Sequence, residues 1–162
     1  MKLMSIDAST KSTGVALFEN GKLIDYQNFV DGGSDTFQRI KNMASLIEEY
    51  YLKNKPNVVV LEDVLPSDVG NNLKTFNPLH YLQAEIVLKL HTHKQKIEII
   101  NVNTWRSTCG IPVGRYAKRE IVKAKSIALV KQKYGIDVND DISDAICLGW
   151  AYPHIGEKPS AF

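Results

Sequence analysis

The sequence predicts an α/β fold: a mixed five-stranded sheet, three antiparallel strands followed by parallel ones, with helices on both faces. Three observations carry this reading. Asn20-Gly21, between two segments of strand character, is the strongest short hairpin signal. The run Val58-Val59-Val60-Leu61 does not alternate with polar residues, as expected of a strand buried on both faces. Apolar residues recur at spacings of three and four between the later strands, which calls for crossover helices.

Each element follows from local signals. Residues 2–7 and 13–19 read as strands, and Lys22–Val30 as a third after the hairpin. Gly32-Gly33 breaks the chain, and Ser34 or Asp35 can cap a helix running to about Lys53. Its apolar positions Phe37, Ile40, Met43, Leu46, Ile47 and Tyr50 form one stripe. Pro56 precedes the strand Val58–Glu62. Residues 66–77 are polar and Gly/Asn-rich and read as a mobile loop. A helix is expected over residues 78–91, a fifth strand over 97–102, a short helix from Asn103 to Gly110, and a basic helix over 116–134. Asn139 or Asp140 then caps a last helix, which Pro153 ends.

At 162 residues the chain is expected to form one domain over positions 1–162, with room for a real core. No apolar run approaches the roughly 20 residues needed to cross a bilayer, so no membrane partner is expected. The two cysteines, Cys109 and Cys147, read as free thiols, and with no signal-peptide pattern the expected location is cytoplasmic. His91 and His93 read as a solvated helix end rather than a zinc site.

Charge is distributed unevenly. Residues 89–133 hold eleven basic side chains against two acidic ones, a surplus of +9 in a chain whose total is +2. The remainder is therefore at −7. A basic stretch in an otherwise acidic protein fits a phosphate-binding surface, a set of solvated helix faces being the plainer alternative.

Four carboxylates carry the chemistry. Asp7 ends the first strand, Glu62 ends the fourth, and Asp141 and Asp144 lie three apart on the last helix, so both face one way. Parallel strands present their C-terminal ends on one edge, where Asp7 and Glu62 can be neighbours. A final helix across that edge adds the other two. Acids gathered in this way repel unless cations neutralise them. Hard oxygen donors suit Mg²⁺, or Mn²⁺. Two such ions roughly 4 Å apart fit phosphodiester hydrolysis. Asp7 alone could be a turn residue. Asp63 falls on the opposite face from Glu62, and Asp140 reads as a cap rather than a ligand.

The ordered set resembles the RuvC family of Holliday junction resolvases, in the ribonuclease H-like superfamily, and most of all its bacteriophage-encoded branch. The family opens with Asp-Pro-Gly-Ser-x-x-Thr-Gly, against Asp7-Ala-Ser-Thr-Lys-Ser-Thr13-Gly14 here. Glu62 matches its second acid, and Asp141-Ile-Ser-Asp144-Ala145 its closing Asp-x-x-Asp-Ala. Lys118, in Gly114-Arg-Tyr-Ala-Lys118, fits the family's functional lysine. The likeness spans nearly the whole chain.

The resemblance implies a homodimeric, Mg²⁺-dependent endonuclease. It would nick opposing strands of four-way junctions, and in a broader form forks, leaving 5′-phosphate and 3′-hydroxyl ends. Lys11, Arg115, Lys118, Arg119 and Lys123 are then the basic residues expected to meet DNA. The helix at 78–91 matches the dimer-forming helix, which makes Leu79, Leu82 and Ile86 interface candidates, with the domain core as their other role. The family's aromatic wedge three residues past the glutamate is Leu65 here, so Leu65 or Phe76 takes that part if any residue does. Trp105 is expected in the core rather than on DNA. No partner helicase follows from the sequence. The alternatives are a non-cleaving junction-binding protein and an RNA-cutting ribonuclease H on the same fold. The first glycine-containing turn is also similar to the phosphate loop of actin-like ATPases and sugar kinases, which require a second domain.

Overall fold

The computed structural model describes residues 1–66, 70–114 and 118–156. Its sheet is built from β1 (Lys2–Asp7), β2 (Ser12–Glu19), β3 (Lys22–Val30), β4 (Val58–Glu62) and β5 (Ile97–Ile100), in the spatial order β3-β2-β1-β4-β5. β1, β2 and β3 pair antiparallel, while β4 runs parallel to both β1 and β5. The hairpin between β2 and β3 turns on Asn20 and Gly21, both with positive φ, as a two-residue Asn-Gly turn requires.

Two helices cover one face and three the other. α1 (Thr36–Asn54) and α2 (Leu73–Thr92) bury Met43, Ile47, Leu82, Ile86 and Leu90 against Met4, Ile6, Val15, Leu17, Val59 and Leu61. On the opposite face α3 (Val102–Thr108), α4 (Arg119–Tyr134) and α5 (Asp140–Ala151) bury Trp105, Val122, Val130, Ile146 and Leu148. Their partners are Leu3, Ala16, Phe18, Val58 and Val60. Successive strand residues thus serve opposite cores, which is why β4 reads as a continuous apolar run. A short 3-10 turn (Tyr152–His154) containing Pro153 follows α5.

Several boundaries differ from the sequence reading. The segment read as a loop to residue 77 is already helical from Leu73, because the Asn72 side chain accepts a hydrogen bond from the Lys74 N–H and caps α2 early. Pro78 therefore lies inside the helix instead of opening it. β5 stops at Ile100, since Asn101 accepts from the Asn103 N–H and starts α3. Of the basic helix expected from 116, residues 116 and 117 lie outside the described residues, and α4 starts at Arg119. Asn139, not Asp140, caps α5, accepting from the Ile142 N–H at 2.9 Å.

Of the two roles expected of Leu82 and Ile86, interface or core, their 0% and 1% exposure within a single chain fits the core. Leu79 is half-buried. The large apolar residues of α2 that face outward are Leu73, Tyr81 and Leu88. Tyr81 stacks on the exposed Phe37 of α1, with ring centroids 6.2 Å apart. His93 is likewise more than a solvated end, for its Nε2 lies 2.9 Å from Glu48.

Candidate active site

Backbone parity delivers the first two acids to one place. Ile6 lies level with Leu61 across the parallel β1–β4 pair, so Asp7 and Glu62 are the next residues of adjacent strands. Both fall on the face of α3 and α5, because Met4, Ile6, Val59 and Leu61 occupy the other. The turn after Asp7 is fixed by its own hydroxyls. Thr13 Oγ1 accepts from the Ser9 N–H at 3.0 Å and donates to the Ser9 carbonyl at 2.7 Å. That exchange explains Thr13 in the Asp7–Gly14 motif, whose hydroxyl meets the Ser9 main chain.

Two glycines and a serine bring α5 onto this edge. Gly14 pairs with Asp7 across the β1–β2 ladder. A Cβ at Gly14 would collide with the Asp141 carbonyl and sit 2.8 Å from the Ile142 nitrogen. A Cβ at Gly149 would run into Phe18 and Ser5. Ser5 Oγ donates to the Ala145 carbonyl at 2.7 Å, one residue past Asp144. Asp141 and Asp144 are thus placed by close backbone contact between α5 and the strands carrying Asp7 and Gly14.

Each acid has a distinct environment. Glu62 accepts from the indole N–H of Trp105 at 2.7 Å, while Gln83 from the opposite helical layer donates to its main-chain carbonyl at 3.2 Å. Asp141 accepts a short hydrogen bond from Ser12 Oγ. Asp144 is 8% exposed, and among the described residues its buried Oδ1 has no hydrogen-bond partner. Its Oδ2 lies 3.6 Å from Arg106 Nη2, an ion-pair distance longer than a good hydrogen bond. Arg106 also rests over the Trp105 ring, 5.1 Å from its centroid.

The electrostatics follow. Burial, then the charges of Glu62, Asp144 and Asp141, push the Asp7 carboxyl well above its ordinary range, with Arg106 acting weakly against them. Burial likewise raises Asp141 and Asp144. At these three acids the folded chain therefore holds more protons than the unfolded one above the ordinary aspartate value of about 3.9. Their contribution to stability falls as pH rises from there through the raised folded values. In EDTA, Asp7→Asn should flatten that decline and raise stability near neutral pH by about 1–2 kcal/mol, roughly 2–8 °C in thermal midpoint. An equally steep decline in the variant would show that the acids do not burden one another.

Whether these residues suit a divalent cation can be judged from the donors. All are carboxylate oxygens, the chemistry Mg²⁺ and Mn²⁺ take. Asp144 Oδ1, without a hydrogen-bond partner among the described residues, is a buried acceptor that a cation would satisfy. Among the described residues no three His, Cys, Asp or Glu side chains are gathered closely enough to enclose an ion as they stand. Ser12, Trp105 and Arg106 instead hold three of the acids singly, as repulsion between uncompensated carboxylates leads one to expect. The donor set fits the ion.

The basic residues are placed less uniformly. Lys11 is exposed in the β1–β2 turn, and Lys118 and Arg119 are exposed at the start of α4. No ion pair joins Lys118 to the four acids among the described residues; Arg106 is the cation against Asp144. Lys123 is engaged by Asp140 in a short ion pair. Arg115 lies outside the described residues. Leu65 is partly buried beyond Glu62, and Phe76, on α2, packs its ring 5.1 Å from that of His80. Trp105 is fully buried, in agreement with a core position. The sequence reading did not single out Arg106, Ser12 or Gln83, and the indole–Glu62 hydrogen bond has no sequence signal.

A mixed β3-β2-β1-β4-β5 sheet with acids at the ends of β1 and β4 and on a terminal helix is a ribonuclease H-like arrangement. Its structural neighbours include Holliday junction resolvases of the RuvC and poxvirus types. The Thermus thermophilus RuvC, in complex with Holliday junction substrate, superposes with a TM-score of 0.72 at 10% identity, over 94% of this chain and 92% of that one. The Fowlpox virus resolvase, in complex with substrate Holliday junction DNA, gives 0.58 at 20% identity, over 95% and 97%. The yeast mitochondrial Holliday junction resolvase gives 0.57 at 15% identity, over 92% and 77%. No protein-family model matches the chain, and no curated protein matches it in sequence.

Proposed function

We propose that the protein is a structure-selective endodeoxyribonuclease that resolves four-way DNA junctions by paired, metal-dependent nicks. The observation that carries this reading is the placement of Asp7, Glu62, Asp141 and Asp144 at one sheet edge, with a buried Asp144 oxygen that has no hydrogen-bond partner among the described residues. Asp7, Glu62, Asp141 and Asp144 would hold two Mg²⁺ ions, with Mn²⁺ a substitute. Such ions lower the pKa of bound water and neutralise charge on the leaving oxygen.

The chain's own residues do the rest. Trp105 and Ser12 hold Glu62 and Asp141 by hydrogen bonds, and Arg106 lies against Asp144. Lys11, Lys118 and Arg119 are exposed cations able to take DNA phosphates. Products with 5′-phosphate and 3′-hydroxyl ends are expected. Four acids gathered at one edge favour cleavage over passive junction binding, since binding alone is better served by fewer negative charges.

Opposing nicks require two sites, so the active form is proposed to be a homodimer. Leu73, Tyr81 and Leu88 of α2, with Phe37 of α1, form the outward apolar surface suited to a second copy. Tyr81→Glu should convert dimer to monomer in sedimentation while leaving the fold intact; a persistent dimer places the contact elsewhere. Paired action is read from a supercoiled plasmid carrying an extruded cruciform. Linear product formed without prior accumulation of nicked circles supports the proposal, and uncut plasmid with Mg²⁺ present contradicts it.

A further inference from the structure

We infer that Trp105 is a positioning residue for the carboxylate of Glu62, and through it for the metal site. The inference rests on the metal-dependent reading above. Trp105 is 0% exposed and lies on α3, a helix that shares no strand or turn with Glu62. A buried indole needs one hydrogen-bond acceptor, and a neutral carbonyl would serve. Here the N–H is given to Glu62 Oε2 at 2.7 Å, a charge-assisted contact at the short end of the range.

The surroundings make that contact directional. Gln83, itself 6% exposed, holds the Glu62 main chain through its carbonyl, so the residue is fixed at both backbone and side chain. Arg106 stacks over the face of the same indole while its Nη2 approaches Asp144. Two consecutive residues of α3 therefore address two acids, one contributed by β4 and one by α5. A fixed second partner that orients a ligating side chain is a recurrent need of metal sites, and its loss lowers affinity about 10- to 100-fold.

Trp105→Phe keeps an aromatic body and removes the donor. Because the smaller ring leaves space, the stricter variant replaces Trp105 by its benzothiophene isostere, in which sulfur takes the place of the N–H. Trp150→Phe makes position 105 the sole indole, because the chain has two tryptophans. In that background Mn²⁺ binding is measured by titration calorimetry, alongside thermal denaturation and the Mg²⁺ dependence of junction cutting.

The expected result is an about 10-fold or greater loss of Mn²⁺ affinity for the isostere with its thermal midpoint held. Cutting should be partly restored by raising Mg²⁺. Unchanged Mn²⁺ affinity in a folded isostere, with the parent binding normally, overturns the role of Trp105 alone. A parent that neither binds Mn²⁺ nor cuts overturns the metal-dependent reading and this inference together.

Discussion

Asp144→Asn is expected to lower Mg²⁺-dependent cutting of a four-way junction by at least about 1,000-fold while leaving junction affinity intact. The carboxylate is 8% exposed, and burial holds its pKa up in the absence of a cation. An asparagine fills the same volume but supplies neither the charge nor the full donor set. Losing about 4 kcal/mol of metal-derived stabilisation of the reaction corresponds to that factor. Binding should not fall, because removing a negative charge from a DNA-facing site does not weaken phosphate contacts. Electrophoretic mobility shifts beside a cutting assay separate the two. Equal cutting by the variant removes Asp144 from the mechanism.

Gly14→Ala is expected to be the most damaging single methyl in the protein. The added carbon would overlap the Asp141 carbonyl, a backbone atom that moves only if α5 moves. Overpacking of this kind costs about 1–3 kcal/mol, occasionally more. The displaced helix carries Asp141 and Asp144 away from Asp7, and a misplacement of about 1 Å can lower a rate about 100-fold. Steady-state cutting and thermal denaturation measure both effects. A variant as stable and active as the parent would contradict the close contact between α5 and β2. Gly110, where a Cβ meets nothing within 4 Å although φ is +68°, offers a control for backbone strain without crowding.

Much of this site is legible in the sequence because it depends on parity and spacing. Glu62 stands out as an acid closing four apolar residues, and strand alternation puts it on the opposite side from Leu61, while the β1–β4 register sets it beside Asp7. Asp141 and Asp144 share a helical face at a spacing of three. Ser9 and Thr13 lie in a readable turn, yet their mutual hydrogen bonds appear only once the turn is built. Trp105, Arg106 and Gln83 reach the acids from other elements, and no local pattern encodes such contacts. Leu82 and Ile86 show the reverse difficulty. An apolar stripe marks a helix as packed without saying against what, and here the partner is the same chain's sheet. The helical start at Leu73 was hidden by polar residues whose role is to cap it.

The proposed function has the four acids make this ribonuclease H-like fold a metal-dependent nuclease for branched DNA. It is tested most directly with strand-labelled four-way, forked and linear duplexes incubated with the protein in Mg²⁺ or EDTA. Symmetric nicks on opposing strands of the four-way junction, absent in EDTA and in Asp144→Asn, are the predicted result. Binding of the junction without cutting any of the three substrates in Mg²⁺ or Mn²⁺ would contradict it.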